Sequence, residues 1–351
     1  MQGRRWLGSR VAQVVLAVGA LVAMVVIGGG GACNNAPSTE NPDFGAVDFA
    51  GRDLRGVDFS TTKLDGSLIG TWQSQDSGTS ETLTCVLAVG SDVYAAGFNG
   101  VLIKSTNAGL TWNAQNSGVT SNLSGLWAAA ANDLYAVGDG GLILHSTNGN
   151  DWNIVTTPTG ENLFGVWGSG SNDVWAVGSN GTVLRSTNGN VWNDVSPADL
   201  TGSMYTVWGS GSNNVYIAGL AGEMRRTTNG GTSFTKLATG ITDTSLYSIW
   251  GTSAMDLYAV GEFGKIIHTT NGGTSWTAQT SNVSGNLNRV HGLGTTVFAV
   301  GENGAIVKTT NGGTSWATEM SMVNSTLQGV YMQSPAELYA VGNDGVVLKR
   351  L

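Results

Sequence analysis

Residues 174–192 read Val174-Trp175-Ala176-Val177-Gly178-Ser179-Asn180-Gly181-Thr182-Val183-Leu184-Arg185-Ser186-Thr187-Asn188-Gly189-Asn190-Val191-Trp192, and the rest of the chain can be placed from them. An apolar-aromatic run ends in glycine, as a strand does before a tight turn. Gly178 to Gly181 reads as a two-residue hairpin turn in which glycine supplies positive φ. Thr182 to Arg185 forms a second strand, Ser186 to Gly189 begins a polar corner, and Trp192 opens a further strand. Upstream, Leu163-Phe164-Gly165-Val166-Trp167 is another short apolar strand. Four short strands joined by Gly, Ser, Asn and Thr turns, with no helical periodicity, make one β unit of about forty residues.

The unit recurs. Its glycine-terminated strand appears at Val93–Gly97, Leu134–Gly138, Val174–Gly178, Val215–Gly219, Leu257–Gly261, Val297–Gly301 and Leu338–Gly342, with the glycines 41, 40, 41, 42, 40 and 41 residues apart. A fixed period of this size marks a repeat architecture. Apolar residues on both faces fit sheets packed face to face around an axis. The expected fold is therefore all-β, a seven-bladed β-propeller with four-stranded blades over residues 70–351. The seventh unit stops at Leu351, before its Trp strand, while Thr71-Trp72-Gln73-Ser74-Gln75 mirrors Thr111-Trp112-Asn113-Ala114-Gln115. The outer strand of the last blade is expected from the residues near 70, a three-plus-one closure that leaves no open edge.

The polar corners run Ser105 to Trp112, Ser146 to Trp152, Ser186 to Trp192, Thr227 to Phe234, Thr269 to Trp276 and Thr309 to Trp316. They resemble the Asp-box, or BNR, repeat of sialidases (Ser-x-Asp-x-Gly-x-Thr-Trp), with Asn in place of Asp throughout and two corners one residue short. The hydroxyl and the Asn side chain are expected to bond turn backbone, glycine to permit the reversal, and Trp to fill the space between blades. The pattern also resembles the photosystem II stability/assembly factors, seven-bladed exported propellers built from such boxes. Both resemblances imply an architecture; such boxes are structural and imply no chemistry.

Two further repeated positions carry functional expectations. Four residues after the second glycine of each turn stand Lys104, His145, Arg185, Arg226, His268, Lys308 and Lys349, basic types in all seven units. They read either as a basic ring suited to anionic headgroups, glycans or an acidic partner, or as stems laid over neighbouring aromatics and bonded to corner carbonyls. Within the turns the variable pairs are Phe98-Asn99, Asp139-Gly140, Ser179-Asn180, Leu220-Ala221, Glu262-Phe263, Glu302-Asn303 and Asn343-Asp344. Resemblance to sialidase-type propellers implies that these turns open on the ligand-binding face, opposite the boxes. Candidate recognition residues there are Phe98, Leu220 and Phe263 among the acids Asp139, Glu262, Glu302 and Asp344. Plain drift of turn residues explains the variation equally well.

The N-terminus carries an address. Arg4, Arg5 and Arg10 precede an apolar run from Val11 to Ile27, then Gly28–Gly31, Ala32 and Cys33. A charged region, an apolar region and small residues before a cysteine resemble a lipoprotein signal, which assigns residues 1–33 as signal and Cys33 as the lipidated residue. An uncleaved signal anchor stands beside this reading. Either implies export and attachment to the bacterial cell envelope, at the periplasm or the surface. Residues 34–69 hold a polar spacer and then Phe44, Phe49, Leu54, Phe59, Leu64 and Ile69 at every fifth position, which resembles the pentapeptide-repeat family. Six units are too few to bury a core alone and read as a short strap.

Composition narrows the function. The chain has 53 glycines without a Gly-x-y period and a net charge of −8, becoming −11 without the first 32 residues, so collagen and nucleic-acid binding are excluded. Two cysteines exclude a disulfide framework and a Cys-based zinc site, and Cys85 reads as a packed small residue. A sialidase needs three converging arginines; the candidates after residue 70 are Arg185, Arg225, Arg226, Arg289 and Arg350, with no Phe-Arg-Ile-Pro-like segment. The three His lie far apart with no metal-ligand spacing. The expectation is a monomeric, non-catalytic envelope propeller with no cofactor and no metal that binds or helps assemble a protein. A glycan-binding protein or diverged glycosidase is the alternative, and a photosystem II assembly factor a third reading if the host is an oxygenic phototroph.

Overall fold

The computed structural model describes residues 72–351, together with two short strands, Val11–Gln13 and Val26–Gly28, that pair antiparallel. Cys33, the spacer and the pentapeptide-like strap lie outside the described residues. The chain divides into Met1–Gly70 and Thr71–Leu351. The second unit is a ring of seven four-stranded antiparallel sheets.

Blades 1 to 6 span residues 83–114, 123–155, 163–194, 204–236, 246–279 and 287–319. Blade 7 takes Leu327–Ser334, Glu337–Gly342 and Val347–Arg350, and its outermost strand is Trp72–Gln75. The register Trp72↔Arg350 to Gln75↔Val347 closes the ring as the mirrored Trp segments predict. In each blade the first strand is innermost, and successive inner strands pack side by side until blade 7 meets blade 1. The apolar residues gather into seven clusters, each shared by two neighbouring blades. Between blades 2 and 3, for example, Val137 and Ile143 meet Leu163, Val174 and Leu184, all fully buried. Burial of this kind contributes about 25 cal/mol per Å². No blade buries its faces alone, so the ring is the cooperative unit.

The hairpin turns differ in frame from the sequence reading. In blade 3 the Thr182 amide donates to the Ser179 carbonyl at 3.0 Å, and the residues with positive φ are Asn180 (52°) and Gly181 (72°). The turn centre is thus Asn180-Gly181, a type I′ pair matched to the strand twist. Gly178, the first glycine, is extended; a Cβ there would run into the Asn162 carbonyl, so its glycine serves close approach and not turning.

Candidate binding face and central channel

Antiparallel topology puts the hairpin turns at one end of the ring and the polar corners at the other, because the third strand of each blade runs from turn to corner. The two ends are built differently.

At the corner end, each basic residue lies beside the aromatic directly across from it on the second strand. His145 stacks on Tyr135 at 4.2 Å and His268 on Tyr258 at 4.1 Å. Cations sit over the rings in the other blades: Lys104 on Tyr94, Arg185 on Trp175, Arg226 on Tyr216, Lys308 on Phe298 and Lys349 on Tyr339. Five meet carboxylates: Lys104 with Asp92 (2.9 Å), His145 with Asp133 (2.7 Å), Arg185 with Asp173 (2.7 Å), His268 with Asp256 (2.6 Å) and Lys308 with Glu319 (3.3 Å). Arg226 donates to Asn214 Oδ1 at 2.6 Å. Lys104, Arg185, Arg226 and Lys349 also donate to carbonyls in the next blade's corner, at Gly149, Gly230, Gly272 and Ala108. These residues stitch neighbouring blades together, and paired in this way they present little surplus positive charge outward. The corners hold as read: Ser105 Oγ accepts from the Gly109 amide (2.8 Å) and Asn107 Oδ1 from the Thr111 amide (2.9 Å).

At the turn end the candidate residues are more open. Phe98, Leu220 and Phe263 are 45%, 46% and 70% exposed. Phe263 is also in the left-handed region, at φ 56°, and Ala221 is at 53°, while the other turns place Asn, Gly or Asp there. A bulky residue in that conformation is strained and, exposed, gains no packing in return. The four acids are tethered. Glu262 accepts from the Ser245 amide (2.8 Å) and Tyr247 Oη (3.0 Å), and Glu302 from the Asn286 amide (3.2 Å) and side chain (2.9 Å). Asp139 accepts from Asn122 Nδ2 (2.8 Å), and Asp344 from Ser325 Oγ (2.8 Å). The backbone hydrogen bond from Ser245, opposed by slight burial, holds the Glu262 carboxyl below its ordinary range.

Sequence reading missed an aromatic arc at this end. Phe164, Tyr205 and Tyr247 hold the same position on the inner strands of blades 3, 4 and 5, with ring centroids 5.6 and 5.5 Å apart in succession. Burial first, and then contact with Glu262, raises the Tyr247 hydroxyl well above the usual phenol range. Through Tyr247 and Glu262 the arc joins the turn that carries Phe263. The sequence signal was the residue after the first buried Leu or Met of each inner strand, Thr84, Ser124, Phe164, Tyr205, Tyr247, Asn288 and Gln328. Further inside, the channel is lined by an aliphatic collar, including Val86, Leu126, Val207, Ile249 and Val330, around about 230 Å³ of space. Among the described residues no group of three or more His, Cys, Asp or Glu is placed to hold a metal ion.

No protein-family model matches this sequence and no curated protein matches it. Solved structures do match. A structure of YCF48 bound to D1 peptide is similar with a TM-score of 0.68 at 17% identity, covering 80% of this chain and 96% of that one. Virginiamycin B lyase from Staphylococcus aureus gives 0.70 at 12% identity over 80% and 98%. The GH74 xyloglucanase from Xanthomonas campestris gives 0.65 at 14% over 80% of this chain and 53% of its own. Binding proteins and enzymes thus share the architecture, and at these identities the likeness shows a propeller fold and nothing finer.

Proposed function

We infer that the chain is a non-catalytic, protein-binding propeller, exported and held at the cell envelope by its N-terminal segment, which meets its partner with the turn end of blades 3 to 5. Phe263 carries this reading: it is a bulky apolar side chain, 70% exposed, on a backbone conformation that favours Asn or Gly. Leu220 in the adjacent blade and the arc from Phe164 to Tyr247 extend the same sector. An exposed aromatic flanked by half-buried aromatic rings, with the neighbouring acid Glu262 tied back to the backbone, has the composition of an interface anchor. The YCF48 structure, with its bound peptide, supports protein binding by a propeller of this shape.

A photo-crosslinking amino acid at Phe263 or Leu220, compared with one at the exposed corner residues Leu110 or Val191, tests it in native envelopes. A discrete protein adduct is expected from the turn positions alone. Adducts from the corners and none from the turns overturn the reading. The glycan-directed alternative rests on the aromatic arc beside Asn288 and Gln328, and a panel of glycans and fluorogenic glycosides decides it. Turnover abolished by one carboxylate substitution would make the protein an enzyme.

A further inference from the structure

The third residue of each inner strand is small in six blades: Cys85, Gly125, Gly165, Thr206, Ser248 and Gly329. In blade 6 it is Arg289, which lines the central cavity and lies in sequence between the arc position and the aliphatic collar. Among the described residues no carboxylate lies within 4.0 Å of Arg289, and its guanidinium donates no hydrogen bond. The other cationic side chains of the inner and third strands reach a carboxylate, an amide or a carbonyl; this one faces open space. Burial disfavours its charged form, and the buried Cys85 nearby stays a neutral thiol because burial raises it. Beside it His291 accepts the Met332 amide on Nδ1 at 3.1 Å, leaving the ring proton on Nε2. Burial, then Arg289, lowers His291 to about 3, so it stays a neutral donor at physiological pH. The wall contains no Asp or Glu; beside the collar it carries Trp127, Trp167, Trp208 and Trp250 and the hydroxyl residues Thr206, Ser248 and Tyr331.

We propose that this channel is a binding site for a small organic carboxylate with an apolar tail or ring. A guanidinium in a cavity whose wall carries no carboxylate is compensated best by an anion, and Arg with a planar oxyanion forms paired, charge-assisted bonds. The His291 Nε2–H is a second donor, and collar and indoles surround the ligand's apolar part. The space of about 230 Å³ exceeds the roughly 150 Å³ apolar cavity that admits benzene, so a ligand of benzoate to octanoate size fits. The site is separate from the turn-end residues that define the protein-binding sector, so either can fail without the other.

The test uses the full chain and the four channel tryptophans as reporters. Sodium benzoate and sodium octanoate should change Trp fluorescence saturably and raise the melting temperature, with benzyl alcohol, octanol and inorganic phosphate inert. Arg289→Met should weaken the response about tenfold or more, as loss of a charge-assisted bond implies, and Arg289→Lys less. If Arg289→Met does not fold, the carboxylate-against-alcohol comparison on the wild type and the Arg289→Lys variant decides. Equal response to the alcohols, an undiminished response in folded Arg289→Met, or none to either carboxylate up to about 10 mM, where only binding too weak to matter would be missed, overturns the proposal.

Discussion

The corner end and the turn end of this ring obey the same sevenfold repeat and use it differently. At the corners each blade places the same residue types in the same contacts: an aromatic, a basic side chain over it, and in most blades an acid or a neighbouring carbonyl that satisfies the charge. At the turns the backbone repeats while the side chains do not. Blades 1, 3 and 6 put Asn in the left-handed position, and blades 4 and 5 put Ala and Phe there against the local preference. Uniform contacts at one end indicate packing. The corner end has one such departure, Ala108 at φ 54°, small and half-buried, whereas Phe263 at the turn end is bulky and 70% exposed.

The largest effect that could break this contrast lies at the corner end. Tyr216 is fully buried, and its hydroxyl proton is within reach of the Ala254 (2.9 Å) and Gly272 (3.2 Å) carbonyls of the next blade. Tyr216→Ala should lower unfolding free energy by about 3–5 kcal/mol in a denaturant titration, as removal of a buried aromatic does. Crosslinking at Phe263 should persist below the melting temperature; its loss in the folded variant would mean the two ends are not separable.

Next comes the closing seam. Glu319 accepts from Trp72 Nε1 (3.0 Å), from Arg350 twice (3.0 Å each) and from Lys308 (3.3 Å). Glu319→Ala should lower stability by about 2 kcal/mol, less than a fully buried pair because the group is partly solvated. Burial works to raise this carboxyl, but Arg350 and Lys308 hold it below its ordinary value. With the folded value depressed, its contribution is complete above the ordinary carboxylate range and fades as pH falls through and below that range. The variant's melting temperature should therefore depend less on pH below about 4.5 than the wild type's.

Phe263→Asn should sharpen the contrast by moving the two properties in opposite directions. Relief of left-handed strain stabilises by about 1 kcal/mol, read as a higher melting temperature, while partner crosslinking from Leu220 declines. A destabilised variant would show that Phe263 packs, and the turn end would lose its main claim to function. The smallest change is Asp344→Asn. This exposed acid sits at φ 59° and bonds Ser325, a position where Asn is equally suited, so a stability change within about 0.5 kcal/mol is expected.

Most of the fold was legible because its determinants are local and repeated. Glycine-ended strands and the mirrored Trp72 and Trp112 segments specify blade count and closure without any long-range information. The turn frame was not legible, because glycine at Gly178 serves contact with Asn162 from another part of the chain, and sequence alone does not separate that use from positive φ. The basic positions were found by alignment, but their role was decided by Gly149, Gly230 and Gly272, about 45 residues further on. The tethering of the turn acids Glu262 and Glu302, read as candidate recognition residues, was not legible because the amides that bind them, Ser245 and Asn286, lie in the loops entering the inner strands. Arg289 looked like one more arginine until ring closure placed it in the wall of the central cavity, at a position where the other six blades carry small residues.

The closing strand also has a mechanical consequence. Trp72–Gln75 belongs to blade 7 in space and continues in sequence toward blade 1. Tension carried by the preceding residues enters the ring at Trp72 and meets the pair Trp72↔Arg350 before any other. The pairs from Gln73↔Lys349 to Gln75↔Val347 follow behind it. The indole held by Glu319, with Arg350 on the same carboxylate, sits at that first pair. The residues that complete the circle are therefore also its latch against a pull from the N-terminal side.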